Sequence, residues 1–494
     1  MDNKITKVVI AGGGTAGWMA AAAFGKLMGK RLDITLVESD DIGTVGVGEA
    51  TIPTLQLFHR LLGIKEPELM AATNATFKLG IQFENWYQQG QNYLHSFGFL
   101  GQGCWACGFH HFWKKGQELA LVSEIGDYCA EHLAARQGRF AVLPGQDANH
   151  AYHFDAALYA RFLRQLAENH GVKRLEGKIA KVRQCPQSGN LQALQLESGE
   201  QVEGDFFLDC TGFRALLIEQ TLHAGFDDWT HYLPCDSAIA VQTENIGAPL
   251  PYTRAIAHHS GWQWRIPLQS RTGNGLVFCS SYMTDDDAIK LLLENIKGAP
   301  INAPRVIKFR TGSRRAHWKK NCVALGLASG FLEPLESTSI HLIQRSIIRL
   351  LQMFPSQGLI EADMLEFNRQ TMEEMTNIRD FLVLHYQATA RTDSPFWRHC
   401  AAMDIPDSLA RRISLFRESG AVYKYSQDLF GESSWVQVMM GQGIVPARYH
   451  PIVDMLDIKE LGDMLDKLRA KARHEAGRFP PHQDFINHYC KAAP

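Results

Sequence analysis

Four groups of residues in this 494-residue chain have the types and spacing to do chemistry. The first is Gly12-Gly13-Gly14-Thr15-Ala16-Gly17, which follows the apolar run Val8-Val9-Ile10 and opens a helix-forming run over 18–27. This is the G-x-G-x-x-G order of a dinucleotide cradle in its required setting, after a strand and at the start of a helix. Gly12 permits the tight turn, Gly14 lets a pyrophosphate approach the backbone, and Gly17 lets helix and strand pack closely. The amides that begin the helix, at Thr15 and Ala16, then face the phosphates. Glu38 ends the next apolar run, 34–37, where an acid can bind a ribose hydroxyl. Gly43, Gly46 and Gly48, with Ala50 behind them, make a loop that can lie flat against a planar or phosphate-bearing ligand.

The second group is Glu333-Pro334-Leu335-Glu336-Ser337-Thr338-Ser339, which leads into a helix over 340–354. Ser337 or Thr338 is a natural N-cap, and the free amides at 338–340 form a ready site for a small anion. The third is Lys78, on a strand over 76–83 where Phe77, Leu79, Ile81 and Phe83 alternate with polar residues. That alternation takes Lys78 off the apolar face, where most lysines are simply solvated. The fourth is aromatic. His95 and Phe97 stand in a segment, 93–113, dense in rings, and Trp262, Trp264 and Ile266 share one face of a strand as a bulky wall. Both stretches read equally as core or as the lining of a pocket for a flat ligand. Cys104-Trp105-Ala106-Cys107 is a C-x-x-C close to His110 and His111, but it lacks the second ligand pair of a zinc site and does not open a helix after a strand. It reads as two thiols in an aromatic loop.

The elements that must position these groups follow in order. An amphipathic helix over 156–169 precedes strand-like segments at 178–183, 191–196 and 201–209, the last closing on Cys210-Thr211-Gly212. Strands at 237–242 and 275–282 flank the tryptophan strand, and another at 322–327 precedes the anion segment. Beyond it the chain is mostly helical, with amphipathic runs at 361–386, 406–418 and 458–474. A hydrophobic content of 45% and a net charge of −2 suit a globular protein with no general pull toward nucleic acid or an acidic membrane. The ten cysteines are scattered behind a first core strand that starts by residue 7, which points to reduced thiols in a cytoplasmic protein. No run approaches the ~20 apolar residues that span a bilayer.

Taken together these residues resemble the flavin-dependent halogenases of the tryptophan/indole type, over nearly the whole chain. The match comprises Gly12 to Gly17, Glu38, the loop Val47-Gly48-Glu49-Ala50-Thr51-Ile52-Pro53, Lys78, His95 with Phe97, Trp262, Trp264, Ile266 and Pro267 as W-x-W-x-I-P, and Glu333 to Thr338. The resemblance implies an α/β chain with an FAD-dependent monooxygenase-like two-dinucleotide-binding fold and a C-terminal helical substrate region. Its core would be 1–345 with inserted substrate-lining segments at about 75–115, and 346–494 would complete the site. Reduced FAD from a separate flavin reductase, oxygen and a halide, bromide or chloride, would yield hypohalous acid. That oxidant would pass to the catalytic Lys78, with Glu336 stabilising the cationic ring intermediate or taking its proton. Thr338 and Ser339 would bind halide, and Leu327 and Ile340 join the cofactor-binding residues. His95, Phe97 and Trp435 would stack on substrate, and Trp262, Trp264 and Pro267 would keep it from flavin. Homodimers are common among such enzymes.

Two departures from the family pattern bear on specificity. Ser339 stands where the family often has glycine, directly at the halide. Lys424 and Ser434 replace aromatic residues, and Phe430 replaces an acid, that would hold the amino-acid end of tryptophan. The expected substrate is therefore an indole-like aromatic without the charged tail. Two other readings of the same sequence are a flavin-dependent aromatic hydroxylase, which would not need Lys78, and a non-catalytic flavin-binding redox sensor, in which Lys78 and Glu336 would lie at the surface.

Overall fold

The computed structural model describes residues 4–43, 48–142, 149–355 and 357–493, so residues 44–47 of the glycine-rich loop, Gly46 among them, lie outside the described residues. Val8, Val9 and Ile10 are buried in the strand Lys7–Ala11, which sits inside a six-stranded sheet. Its order is Trp318–Lys319, Cys322–Ala324, Phe206–Asp209, Lys7–Ala11, Asp33–Glu38, Lys173–Glu176. All pairs are parallel except the first, at the edge. A parallel sheet must be covered on both faces, and the side-chain alternation of these strands divides accordingly. Val8, Ile10, Ile34 and Leu36 enter one core with the helix Thr15–Met28, while Val9, Ala11 and Val37 enter another with the antiparallel meander Ile179–Gln184, Leu191–Leu196, Gln201–Glu203. The fully buried alanines Ala20 to Ala23 keep the first helix thin enough for the helix Ala156–Asn169 to pack against it. The single strand expected over 201–209 is two, Gln201–Glu203 in the meander and Phe206–Asp209 in the parallel sheet. Between them the Asp205 carboxylate accepts from the amides of Thr6 and Lys7 and pins the crossing to the central strand.

A second, seven-stranded sheet carries the tryptophan strand Gly261–Pro267 between Thr253–His258 and Thr272–Phe278, and ends at Gly80–Glu84 and Asn92–Ser96. From residue 339 on, every regular element among the described residues is helical. The helices Ser339–Gln352 and Glu361–Gln387 run close to the boundaries expected from their periodicity. No helix among the described residues is long and apolar enough to cross a membrane.

The strand expected over 76–83 is also broken, and the break positions the lysine. Thr76–Lys78 pairs with Ala151–Asp155 in a small three-stranded sheet, whereas Gly80–Glu84 pairs with Asn92–Ser96 in the large one. Leu79 is the crossing residue, its amide donating to the Pro251 carbonyl at 2.7 Å. Gly80 follows it because a β-carbon there would lie 2.4 Å from the His95 carbonyl oxygen. Leaving one sheet for another takes Lys78 into the interior, so the solvated position suggested by alternation is overturned: the residue is buried. Phe77 anchors this short strand, stacking on Phe140 at 4.1 Å and meeting Phe485 of the last helix, His482–Tyr489, edge-on at 5.4 Å. Replacing this ring, Phe77→Ala, is expected to cost about 3–5 kcal/mol, read as a lower midpoint of urea unfolding by circular dichroism. An unchanged midpoint would mean that the strand is held by something else.

Candidate active site

At the first glycine turn the backbone itself selects the residue type. Gly12 has φ +102°, and a β-carbon there would lie 2.3 Å from the Cys210 carbonyl oxygen. A β-carbon on Gly17 would lie 1.9 Å from the Gly12 oxygen. Beside Gly14 there is open space, with no atom within 4 Å of where a β-carbon would be, and no side chain caps the helix Thr15–Met28 that begins after it. Free first-turn amides next to open space fit a dinucleotide pyrophosphate. The short helix Gly326–Ala328 lies against this turn, since a β-carbon on Gly326 would sit 2.8 Å from that of Ala16. Leu327 is therefore near the cradle. Ile340 buries its side chain in the core, so any cofactor contact from that position runs through its backbone. Glu38 lies over Gly13 at the end of its strand, and Arg174, which sequence reasoning missed, donates to its Oε1 at 2.6 Å.

Gly48 and Ala50 form the strand Gly48–Ala50 beside Ala151–Asp155, the same strand that pairs with Thr76–Lys78. Through that shared neighbour Thr51 comes next to the lysine. Lys78 Nζ donates to the Thr51 carbonyl at 3.0 Å and to Ser337 Oγ at 2.8 Å, and lies 5.2 Å from the centroid of the Phe97 ring. Burial pulls the amine down to about 7, with Glu336 opposing. Ser337 was not singled out by sequence reasoning beyond its capping propensity. It does not cap: it stands at φ +60° and its hydroxyl oxygen accepts from Lys78, while the N-cap of the helix Ser339–Gln352 is Thr338. The Thr338 hydroxyl does not cap either; it is buried with no hydrogen-bond partner, next to first-turn amides that a helix leaves free. A small anion would satisfy both.

Glu336, also fully buried, has its two carboxylate oxygens 3.0 Å from His95 Nδ1, and its Oε1 2.9 Å from His385 Nε2. Burial pushes its pKa up, but the two imidazoles outweigh it and hold the carboxylate down at about 2. Three residues earlier, Glu333 accepts from Trp262 Nε1 at 2.8 Å and from the Tyr386 hydroxyl at 2.5 Å, and burial moves it the other way, to about 7. Trp262 and Trp264 are both buried, 6.2 Å apart, with the Trp264 ring over Gly275. Pro267, at the end of their strand, accepts from Thr76 Oγ1.

Around Glu336 the rings expected to stack on substrate, His95, Phe97 and Trp435, are joined by another from the helix Glu361–Gln387. Phe381 is the common neighbour, edge-on to His95 at 5.8 Å and to Trp435 at 4.8 Å. Phe430 stacks on Phe381 at 3.9 Å and is tilted against His95 at 6.1 Å. Trp435 is covered by Arg412, 4.6 Å from its ring, which is itself paired with Asp428 at 2.8 Å. Neither Phe381 nor His385 carried any signal in the sequence, since both read as parts of an amphipathic helix. Cys104 and Cys107 are free thiols 3.9 Å apart, and among the described residues no group of three or more His, Cys, Asp or Glu is placed to hold a metal.

The comparisons with known proteins agree with this geometry. The family model for tryptophan halogenase matches residues 7–458. The tryptophan 7-halogenase RebH of Lentzea aerocolonigenes is 35% identical, over 90% of this chain and 91% of its own. Among solved structures, the flavin-dependent halogenase Xcc4156 from Xanthomonas campestris is 56% identical with a TM-score of 0.98, covering 99% of both chains. BrvH, a flavin-dependent halogenase from Brevundimonas sp. BAL3, is 43% identical with a TM-score of 0.95, over 99% of this chain and 100% of its own. The α/β fold with its dinucleotide cradle is thus the fold of flavin-dependent halogenases. The chain belongs to the tryptophan halogenase family, a family of flavin-dependent enzymes.

Proposed function

We propose that this enzyme halogenates an electron-rich, indole-like aromatic ring, with Lys78 carrying the halogen from the anion end of the helix Ser339–Gln352 to the substrate. The observation that carries the reading is the hydrogen bond from the buried Lys78 Nζ to Ser337, the residue between Glu336 and Thr338. FAD, reduced by a separate flavin reductase, supplies the oxygen chemistry that turns bromide or chloride into hypohalous acid. Gly12, Gly14 and Gly17 hold its pyrophosphate, with Thr15 and Ala16 offering amides and Glu38 the ribose contact. Thr338 and Ser339 hold the halide at the open end of their helix. The walls at Trp262 and Trp264 separate this compartment from the ring to be halogenated.

A neutral amine has two N–H groups and one lone pair. Both N–H groups of Lys78 have acceptors, at Thr51 and Ser337. The lone pair is left for the electrophilic halogen of hypohalous acid, giving a haloamine and water. The aromatic ring then takes the halogen and becomes cationic, stabilised by the ionised Glu336; the proton released on rearomatisation passes through Glu336 to the lysine nitrogen that gave up the halogen, restoring the neutral amine.

A ring without a charged tail suits the substrate side. By the family resemblance Phe430 replaces the acid that would hold the tail of tryptophan; here it stacks on Phe381, and Arg412 is already paired with Asp428. Indole is expected to exceed free tryptophan by about 10–100-fold in kcat/KM; a strong preference for tryptophan in turnover assays would refute this. Incubation with FAD, a reductase, NADH, indole and bromide is expected to yield bromoindole. A hydroxylated product would instead mark a hydroxylase, and no product a flavin-binding sensor. Lys78→Ala is expected to lower halogenation at least ~100-fold, the cost of losing a positioned reactant, while NADH-driven peroxide formation continues. Loss of flavin binding in that variant would assign the lysine a structural role. Because burial places the lysine near 7 and the neutral form is the reactive one, kcat/KM is expected to rise with pH through about 7 and level off above it. A fall above that pH would mean that the ammonium form works.

A further inference from the structure

We propose that Cys104 and Cys107 form a peroxide-reactive dithiol, in which Cys104 attacks the peroxide and Cys107 closes the pair to a disulfide. Neither thiol belongs to the halogenation machinery. The oxidant is hydrogen peroxide, the product when reduced flavin gives its electrons to oxygen without passing an oxygen atom on. The two sulfurs are 3.9 Å apart, in a turn closed by the Cys104 amide, which donates to the Cys107 carbonyl at 2.9 Å. Only glycine fits at position 103, where a β-carbon would lie 2.5 Å from that same carbonyl oxygen. The neighbouring histidines are engaged elsewhere. His110 Nε2 donates to the Gly420 carbonyl at 2.6 Å, and His111 Nδ1 accepts from the His450 amide at 3.0 Å. They do not complete a metal site with the sulfurs, which are left as each other's partners.

The surroundings divide the work between the two thiols. Seven of the ten cysteines are buried, whereas Cys104 is exposed and Cys107 half-buried. Backbone N–H groups, that of Ala106 first, hold the Cys104 thiol below its ordinary range, while burial, and then Cys104 itself, push Cys107 up to about 12. The thiolate is the nucleophile, so Cys104 supplies it. Its sulfur attacks one peroxide oxygen: an S–O bond forms, the O–O bond breaks, and hydroxide leaves and is protonated to water. The sulfur is thereby oxidised to a sulfenic acid. The Cys107 sulfur then attacks that of Cys104, the S–S bond forms as the S–O bond breaks, and the departing hydroxide takes the Cys107 proton. In total the two thiols lose two electrons and two protons, and peroxide is reduced to two waters. Both ends of the loop are fastened to the helix Glu432–Gly441. The Leu100 amide donates to Ser433 Oγ at 3.3 Å, and a β-carbon on Gly108 would sit 1.9 Å from Glu432 Oε1. The thiols are therefore held together before any oxidant arrives, which reduces the entropy lost on closing the ring.

The test uses the full chain, reduced and then freed of reductant. Trypsin releases residues 79–114 as one peptide whose only cysteines are Cys104 and Cys107. After treatment with hydrogen peroxide and then an alkylating agent, this peptide is expected to be lighter than the dithiol form by two hydrogen atoms and to carry no alkyl group. Dithiothreitol is expected to restore both thiols. In Cys107→Ser the oxidation is expected to stop at the sulfenic acid of Cys104, captured by dimedone. In Cys104→Ser dimedone labelling of Cys107 is expected to be at least ~10-fold lower, since that thiol stays protonated. A peptide still alkylated at both sulfurs after peroxide overturns the proposal, and so does equal dimedone labelling in the two variants. With FAD, a reductase and NADH but no halide, the wild type is expected to form the same disulfide, and catalase to prevent it. A disulfide that forms despite catalase would overturn the assignment of peroxide as the oxidant.

Discussion

A lysine nitrogen shut off from solvent must find its hydrogen-bond acceptors inside the protein, and everything near the site of this enzyme is arranged by where Lys78 finds them. One acceptor, the Thr51 carbonyl, directly follows the strand Gly48–Ala50; the other, Ser337 Oγ, belongs to the turn that precedes the helix Ser339–Gln352. The nitrogen therefore ties two parts of the chain that are 286 residues apart in number, 51 and 337, and lies where both meet. Ser337 reaches it by adopting a left-handed backbone, uncommon for a residue with a side chain. Its neighbour Glu336 is then presented to the histidines. Local strain of this kind persists where the surrounding contacts over-determine it, and here three buried partners do so.

The same turn shows how environment gives two carboxylates different jobs. Glu333 meets the uncharged donors of Trp262 and Tyr386, and burial raises it to about 7. Glu336 meets two imidazoles and is held at about 2. Both are equally buried, so the sign of the shift is decided by the partners and not by depth. A carboxyl that can stay neutral locks a tryptophan in place; one that stays charged faces the lysine's compartment.

Much of this was legible in the sequence, and for identifiable reasons. At Gly12 and Gly17 backbone approach and close packing admit glycine alone, so these residues announce the turn. The long helices announced themselves by period. Lys78 did not: alternation along 76–83 assumes one continuous strand, and the crossing at Leu79 depends on pairing with 151–155 and 92–96, partners far away in sequence. The strand over 201–209 misled for the same reason. His385 and Phe381 were invisible because a helix that buries most of one face gives no sign of which buried residue touches a charge. Only the family resemblance singled out Lys78 in advance. It named His95 and Trp435 but not Phe381, which lies in contact with both.

On the proposed reading, the tryptophan wall has to be rigid as well as bulky, and its anchoring explains how. Trp262 cannot swing without breaking its bond to Glu333, which Tyr386 also holds. Trp264 lies against Gly275, whose lack of a side chain makes the space that the ring fills. Around Trp262 stand Trp86 and, beyond it, Trp397 and Tyr386, so any movement would have to displace a packed aromatic cluster. Interiors of this density respond to displacement by discrete rearrangement and not by gradual yielding. On that reading a barrier so fixed would keep substrate from flavin throughout turnover, leaving a small oxidant to be handed on by the buried amine of Lys78.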